Sequence, residues 1–326
     1  MRFDMHCHTK EGSLDGKIPL RDYVLRLKIL GYDGMLITDH NSYKAYRQYI
    51  RNTEDEAFQN FTILKGVEYD TSDGGHILVI MPSDVNSPLL EMRGMPVSLL
   101  IETVHAFHGI LGPAHPAGEK YLSILNSKYY HKNPDVLKKF DFIETYNSCI
   151  TEEANEKAAE LAEKYHLPGT GGSDSHKLDC VGLAYTEFDR PIKSESDLIE
   201  CIKSSPTLES GGSHYPGTSR DHLGIIYDFM LRLYYVYDRV GNRRRYAERV
   251  KAFEEMLEKY PNLYHRIRRL TFVENIQQFF YRRDWEKIRS WLDNNLFAGM
   301  GDEEPVSDTD PEAEEEKPID INANAS

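Results

Sequence analysis

Residues 34–41 read GMLITDHN, an apolar run that stops on an acidic residue and a histidine, Asp39 and His40. A short apolar run of this length reads as a buried strand, and a polar pair at its end marks a place where a site can be built. The same figure recurs along the first 180 residues. The run at 2–5 leads into His6-Cys7-His8, 61–67 into Glu68, and 110–113 into His115 in LGPAHP. The run at 140–145 carries Glu144 in FIETYNS, and 167–171 leads into GGSDSH with Asp174 and His176. His76 instead precedes its run, HILVIM, at 77–81.

Helical patterns lie between several of these runs. In PLRDYVLRLKILG, Leu20, Tyr23, Leu27 and Leu30 share one face and Gly31 supplies a stop. Residues 151–165 open with Thr151 as a cap and Glu152 and Glu153 in the first turn. Alternation of strand and helix predicts a parallel α/β architecture, and seven strand runs favour a barrel over an open sheet. The predicted organisation is a catalytic barrel over 1–210, a helical C-terminal extension over 211–300, and a disordered acidic tail over 301–326. The Gly/Ser/Pro/Thr-rich stretch 205–218 reads as a linker or chain crossing. In the extension, Leu223, Ile226, Met230, Leu233 and Tyr237 recur at helical spacing.

Composition excludes several classes. The net charge is -14, but residues 1–210 hold 22 basic and 32 acidic residues, residues 211–300 hold 16 and 11, and residues 301–326 hold 1 and 10. The barrel is therefore no general polyanion-binding surface. No apolar run reaches the roughly 20 residues that span a bilayer, and MRFDMHCHTK lacks a signal-peptide core. The four cysteines show no close pairing and read as reduced thiols. A cytoplasmic protein without membrane association is expected.

The strand-end residues are a metal-ligating set. His6 and His8 alternate, so both imidazoles reach one face of a strand. Asp15 lies nearby in the Gly/Ser loop EGSLDGK. Imidazole with carboxylate suits zinc, manganese or iron, and Glu68 could bridge two cations of a phosphoryl-displacement site. Alternatives stand beside single members: His115 also fits a satisfied buried histidine, and Glu144 fits a helix cap as well as a strand-end site.

At these motifs the sequence resembles the PHP family, named for polymerase and histidinol phosphatase domains. DMHCHTKEGSLDGK, GMLITDHN, GVEYD, GGHILVI, AHP and GGSDSH carry the resemblance in the family's order, over about the first 200 residues. It implies a distorted barrel of seven βα units holding two or three divalent ions. It assigns His6, His8, Glu68 and Asp174 to the first ion, Glu68, His76 and His115 to the second, and Asp15, His40 and His176 to the third. Asp39 and Glu144 are the further candidates for the catalytic site, Asp39 as a group that orients a ligand.

The implied activity is hydrolysis of phosphate esters by attack of a metal-bridging hydroxide. The expected substrate is a phosphorylated small metabolite, a nucleotide or a short oligonucleotide. Lys10, Lys17, Lys120 and Lys177 stand near the motifs and either touch phosphate or are solvated. Hydrolysis of C–N or C–O bonds by the same centre is the alternative chemistry. A non-enzymatic alternative has the extension, with Arg243, Arg244 and Arg245, docking a protein partner or nucleic acid.

Overall fold

A computed structural model describes residues 1–118, 122–205 and 208–215. The chain divides into two units, Met1–Tyr281 and Arg282–Ser326, and all described residues belong to the first. Nearly all of the expected helical extension, the acidic tail and Lys120 lie outside the described residues.

The strands are β1 (Arg2–Cys7), β2 (Gly34–Ile37), β3 (Thr62–Asp70), β4 (His76–Ile80), β5 (Ile110–Pro113), β6 (Ile143–Asn147), β7 (Gly169–Gly172), β8 (Ala184–Glu187) and β9 (Glu209–Gly212). The helices are α1 (Leu20–Ile29), α2 (Lys44–Arg51), α3 (Val97–Ala106), α4 (Lys128–Lys132), α5 (Glu152–Tyr165) and α6 (Glu195–Ser204). One sheet has the order β5-β4-β3-β2-β1-β8-β9, and β6 pairs with β7 in a separate two-stranded sheet. That pair bridges β5, one end of the longer sheet, to β1. Asp141 N donates to Leu111 O at 2.9 Å beside β5, while Asp174 N donates to His6 O at 2.8 Å and Cys7 bridges Ser175 beside β1. The result is a distorted α/β barrel.

The distortion has an identifiable source. β1, β2 and β3 run parallel, but β4 returns antiparallel to β3, with Asp70 opposite His76. β5 is antiparallel to β4 and so runs with β3 again. This explains why His76 precedes its strand: the amino end of β4 lies beside the carboxyl end of β3. β8 and β9 were not anticipated. They form an antiparallel pair beside β1, with α6 between them in the chain, and β9 occupies part of the stretch read as a linker. Gly212 permits this, because a Cβ there would meet Leu183 O at 2.2 Å and Tyr146 Cε1 at 2.8 Å.

Alternation along the strands sorts the core. Phe3, Met5, Leu36, Leu64, Leu78, Ile80, Ile110 and Phe142 form one buried cluster with Leu198, Ile199 and Ile202 of α6. Residues of opposite parity, including Met35, Ile37 and Ile63, pack against Tyr23, Val24 and Leu27 of α1. β1 breaks the rule. Its pairing with β2 shifts between Asp4 and Cys7, and Cys7 joins the α1 cluster although Phe3 and Met5 lie in the other. The irregularity swaps the faces, so His6 and His8 continue the face begun by Phe3 and Met5. Irregularities of this kind re-aim side chains next to sites.

Candidate metal centre

The nine candidate ligands and one further residue, Asp70, converge at the carboxyl end of β1, β2, β3, β5 and β7. His6 and His8 bring their Nε2 atoms to 3.1 Å. Glu68, fully buried near the end of β3, lies between two groups of imidazoles. Its Oε2 is 3.4 Å from His6 Nε2 and 3.2 Å from His8 Nε2. Its Oε1 is 2.8 Å from His76 Nδ1 and 3.1 Å from His115 Nε2. Asp174 Oδ1 is 3.1 Å from His8 Nε2 and 3.6 Å from His6 Nε2. Asp15, with its side chain 43 % exposed, places Oδ2 3.1 Å from His176 Nε2 and 3.6 Å from His40 Nε2. The exposed edge of the centre is therefore the Asp15–His176–His40 side.

Three groups of donor atoms lie close enough to share an ion: His6, His8 and Glu68; Glu68, His76 and His115; and His8, Asp15, His40 and His176. A fourth group joins His40, Asp70 and His76. Two ligands at 2.0–2.1 Å from one tetrahedral ion stand about 3.3 Å apart, and the distances above scatter around that value. The imidazole nitrogens also fit. His6 Nδ1 donates to Glu144 Oε1 at 2.8 Å, and His8 Nδ1 faces Ser13 Oγ at 3.2 Å. His40 Nδ1 faces Asp70 Oδ1 at 3.0 Å, His115 Nδ1 faces Ser123 Oγ at 3.4 Å, and His176 Nδ1 donates to Asp174 O at 2.9 Å. In each of these rings Nδ1 has a protein partner and Nε2 points into the cluster, the arrangement that leaves a lone pair for a cation. His76 is reversed, with Nδ1 toward Glu68 and a buried Nε2 that makes no hydrogen bond.

Backbone conformation supports the placement. His115 and Asp174 have φ of 31° and 51°. Non-glycine residues seldom take these values, and where they do so the position is often functional. Gly172, just before the Asp174 motif, lets β7 approach β1, since a Cβ there would meet His6 Cβ at 2.3 Å.

Electrostatics reflects the crowding of charge. Burial pushes the Glu68 carboxyl up, but the facing His76, His40 and His6 outweigh it and hold it well below the usual range. Burial opposes charge on His6 and His40, yet Glu144, Asp174 and Glu68 around the first, and Glu68, Asp70 and Asp15 around the second, raise both well above the ordinary imidazole value. Burial, opposed by hydrogen bonds from Thr9 and by His8, raises Asp39 to about 6.

Asp39 and Glu144 occupy supporting places. Asp39 accepts from Thr9 N at 2.6 Å, Thr9 Oγ1 at 2.8 Å and Ser13 Oγ at 3.0 Å. Ser13 Oγ also accepts from His40 N, so Asp39 acts on His8 and His40 through one hydroxyl. Glu144 holds His6 and accepts His115 N at 2.5 Å. Asn147 donates to Glu144 at 3.1 Å and to Asp174 at 3.3 Å. Sequence reading missed Asp70. Its signal was present, because Asp70 follows Glu68 by two along β3 and shares its face. Thr71, Ser72, Asp73 and Gly74, which follow it, are residues that favour a turn. Lys10 and Lys17 are exposed, and the structure gives no contact between their side chains and the cluster.

A curled α/β barrel with His, Glu and Asp clustered at its strand ends defines a class of proteins equipped to hold divalent metal. A family model for the PHP domain matches residues 4–172, and one described as PHP-associated matches residues 152–207. The chain belongs to the PHP domain family. Among solved structures, PsfC from Pseudomonas syringae is 16 % identical with a TM-score of 0.46, covering 71 % of this chain and 97 % of that one. A two-domain protein from Bacteroides vulgatus, containing a predicted PHP-like metal-dependent phosphoesterase, is 15 % identical with a TM-score of 0.45, covering 65 % of each chain. A lesion-specific endonuclease from Pyrococcus furiosus is 17 % identical with a TM-score of 0.48, covering 64 % of this chain and 58 % of that one. No curated protein sequence matches the chain.

Proposed function

We propose that the chain is a metal-dependent phosphoesterase whose ions are held by His6, His8, Asp15, His40, Glu68, His76, His115, Asp174 and His176. The observation that carries this reading is Glu68. Its two oxygens serve different imidazole groups, Oε2 the His6/His8 pair and Oε1 the His76/His115 pair. A carboxylate so placed can bridge two cations, and paired divalent ions supply the Lewis acidity and the activated nucleophile that phosphate-ester hydrolysis needs.

The chain's own residues have separable tasks. Glu144 and Ser13 fix the ring orientations of His6 and His8, and Asp39 fixes Ser13. Burial of His6, His8, Glu68 and Asp174 excludes bulk water from the inner part of the centre. The exposed Asp15 and the partly exposed His176 leave the third group open to a substrate oxygen. The substrate of this proposal is a phosphorylated metabolite, a nucleotide or a short oligonucleotide, and zinc, manganese or iron suits the donor set.

Two variants test this reading. His6→Ala and Glu68→Ala should each lose bound metal and phosphate-releasing activity together. Unchanged metal content and unchanged activity in both would remove the basis for the proposal.

A further inference from the structure

The motif that carries His6 and His8 opens on Asp4, a wholly buried carboxylate that belongs to none of the groups of donor atoms close enough to share an ion. Its two oxygens take four donors. Oδ1 accepts from Ser173 N at 2.8 Å and from His6 N at 3.2 Å. Oδ2 accepts from Tyr23 Oη at 3.2 Å and from Ser173 Oγ. Three of the four come from segments that carry candidate ligands, β1 itself and the stretch just after β7 that holds Asp174 and His176. We infer that Asp4 is a positioning residue, which bends β1 and clamps the end of β7 to it so that His6, His8 and Asp174 meet around one ion.

Each half of this role has its own observation, and both rest on the metal-dependent reading of the centre. The bend comes first. Three steps along β1, Asp4 to Cys7, oppose two along β2, Met35 to Ile37, so β1 carries an extra residue there. An aspartate that accepts the amide two residues further on forms an Asx turn, which competes locally with ladder pairing. Asp4 does this with His6 N, inside the irregular stretch. The same stretch turns His6 and His8 to the face of Phe3 and Met5.

The clamp is the second half. β1 and β7 belong to different sheets. Their backbones meet where Asp174 N donates to His6 O and where Cys7 bridges Ser175. Asp4 adds two bonds, both to Ser173, the residue before Asp174. Tyr23 Oη lies 3.0 Å from Ser173 Oγ, and Ser175 Oγ donates to Ser173 Oγ at 2.7 Å, so the hydroxyl is itself held. A carboxylate suits this place because it accepts at about four lone pairs. An amide would offer one oxygen and turn its NH2 toward the remaining donors. The group formed by Glu68, His76 and His115 comes from β3, β4 and the residues after β5, outside the clamp. Loss of Asp4 should therefore reach some metal positions and spare that one.

The test uses full-length chain, stripped of metal and titrated with cobalt(II) against a competing chelator, and its Asp4→Ala, Asp4→Asn and Ser173→Ala variants. The equivalent lost in His115→Ala marks the position built by Glu68, His76 and His115. Asp4→Ala should weaken the other equivalents about 10- to 100-fold and leave that one at wild-type affinity. Asp4→Asn keeps an oxygen for Ser173 N and His6 N, and Ser173→Ala removes only the hydroxyl link, so each should weaken the same equivalents by less. At saturating cobalt, kcat on a phosphate monoester should fall in Asp4→Ala more than KM rises, because the buried Asp4 is sealed from substrate. If Asp4→Ala fails to fold, Asp4→Asn and Ser173→Ala decide the same comparison. Wild-type affinity at every position in the folded variants would overturn the assignment. So would an equal loss at every position, because Asp4 would then only stabilise the fold. The selective pattern in a chain that turns over no phosphate ester would uphold the clamp and count against the phosphoesterase reading.

Discussion

Individual residues divide into those that face the shared centre and those that aim them. Glu144 illustrates the second kind. Its carboxylate takes the Nδ1 proton of His6, which fixes the tautomer and leaves Nε2 toward His8 and Glu68. Removing such a partner typically weakens metal affinity 10- to 100-fold. Glu144→Ala should therefore retain the fold but require about 10- to 100-fold more metal for half-maximal occupancy, measured by titration with a competing chelator. Wild-type affinity in that variant would show that His6 needs no such partner. Most of the centre was legible at this level. His6, His8, Glu68, Asp174 and their companions stand where a strand pattern gives way to polar residues. Asp70 was not, because only the fold brings it beside His40 and His76.

Among the elements, β1 and β7 decide whether the ligands meet. β1 carries an irregularity that swings His6 and His8 to the face of Phe3 and Met5, and simple alternation along the strand did not reveal it. β7 approaches β1 only because Gly172 lacks a side chain. Gly172→Ala should push Asp174 away from His8, lowering metal content and costing about 1–3 kcal/mol of stability by overpacking. Thermal melts with and without metal would check both effects, and an unshifted melt would mean that the strands part without cost. The cap of helix α5 offers a control that makes no hydrogen bond to a candidate ligand. Thr151 Oγ1 accepts from Ala154 N at 3.3 Å, as its capping position predicts. Thr151→Ala should cost about 1 kcal/mol and leave metal content unchanged. The alternating strand and helix pattern anticipated seven of the nine strands. The antiparallel return of β4 followed from no local signal, because a buried strand reads the same in either direction.

The described residues form a barrel whose carboxyl end gathers more charge than burial alone would tolerate. In the metal-free chain, Glu144, Asp174 and Glu68 hold His6 above its ordinary pKa against burial, and Glu68, Asp70 and Asp15 do the same for His40. Their contribution to stability is present below the ordinary imidazole value and is lost as pH rises through the raised one. Glu68 behaves oppositely: its lowered pKa stabilises above the ordinary carboxylate value and is lost as pH falls toward the lowered one. Cations can take the imidazole sites only by displacing protons. Metal binding should therefore release protons, and metal affinity should rise with pH from the ordinary imidazole value upward through the raised one. Calorimetry in two buffers of different ionisation enthalpy would reveal the release, and identical heats in both would contradict it.

The central claim is that Glu68 joins two metal positions into one phosphoester-hydrolysing centre. Its most direct test is phosphate release from a panel of sugar phosphates, mononucleotides, bisphosphorylated nucleotides and short RNA. The metal-reconstituted chain and its Glu68→Ala variant would be assayed side by side, with bound metal counted in each. The claim predicts turnover of at least one phosphate ester by the wild-type chain, and loss of both turnover and at least one metal equivalent in the variant. Full metal content and full turnover in Glu68→Ala, or metal-loaded wild-type chain that releases no phosphate from any member of the panel, would contradict it.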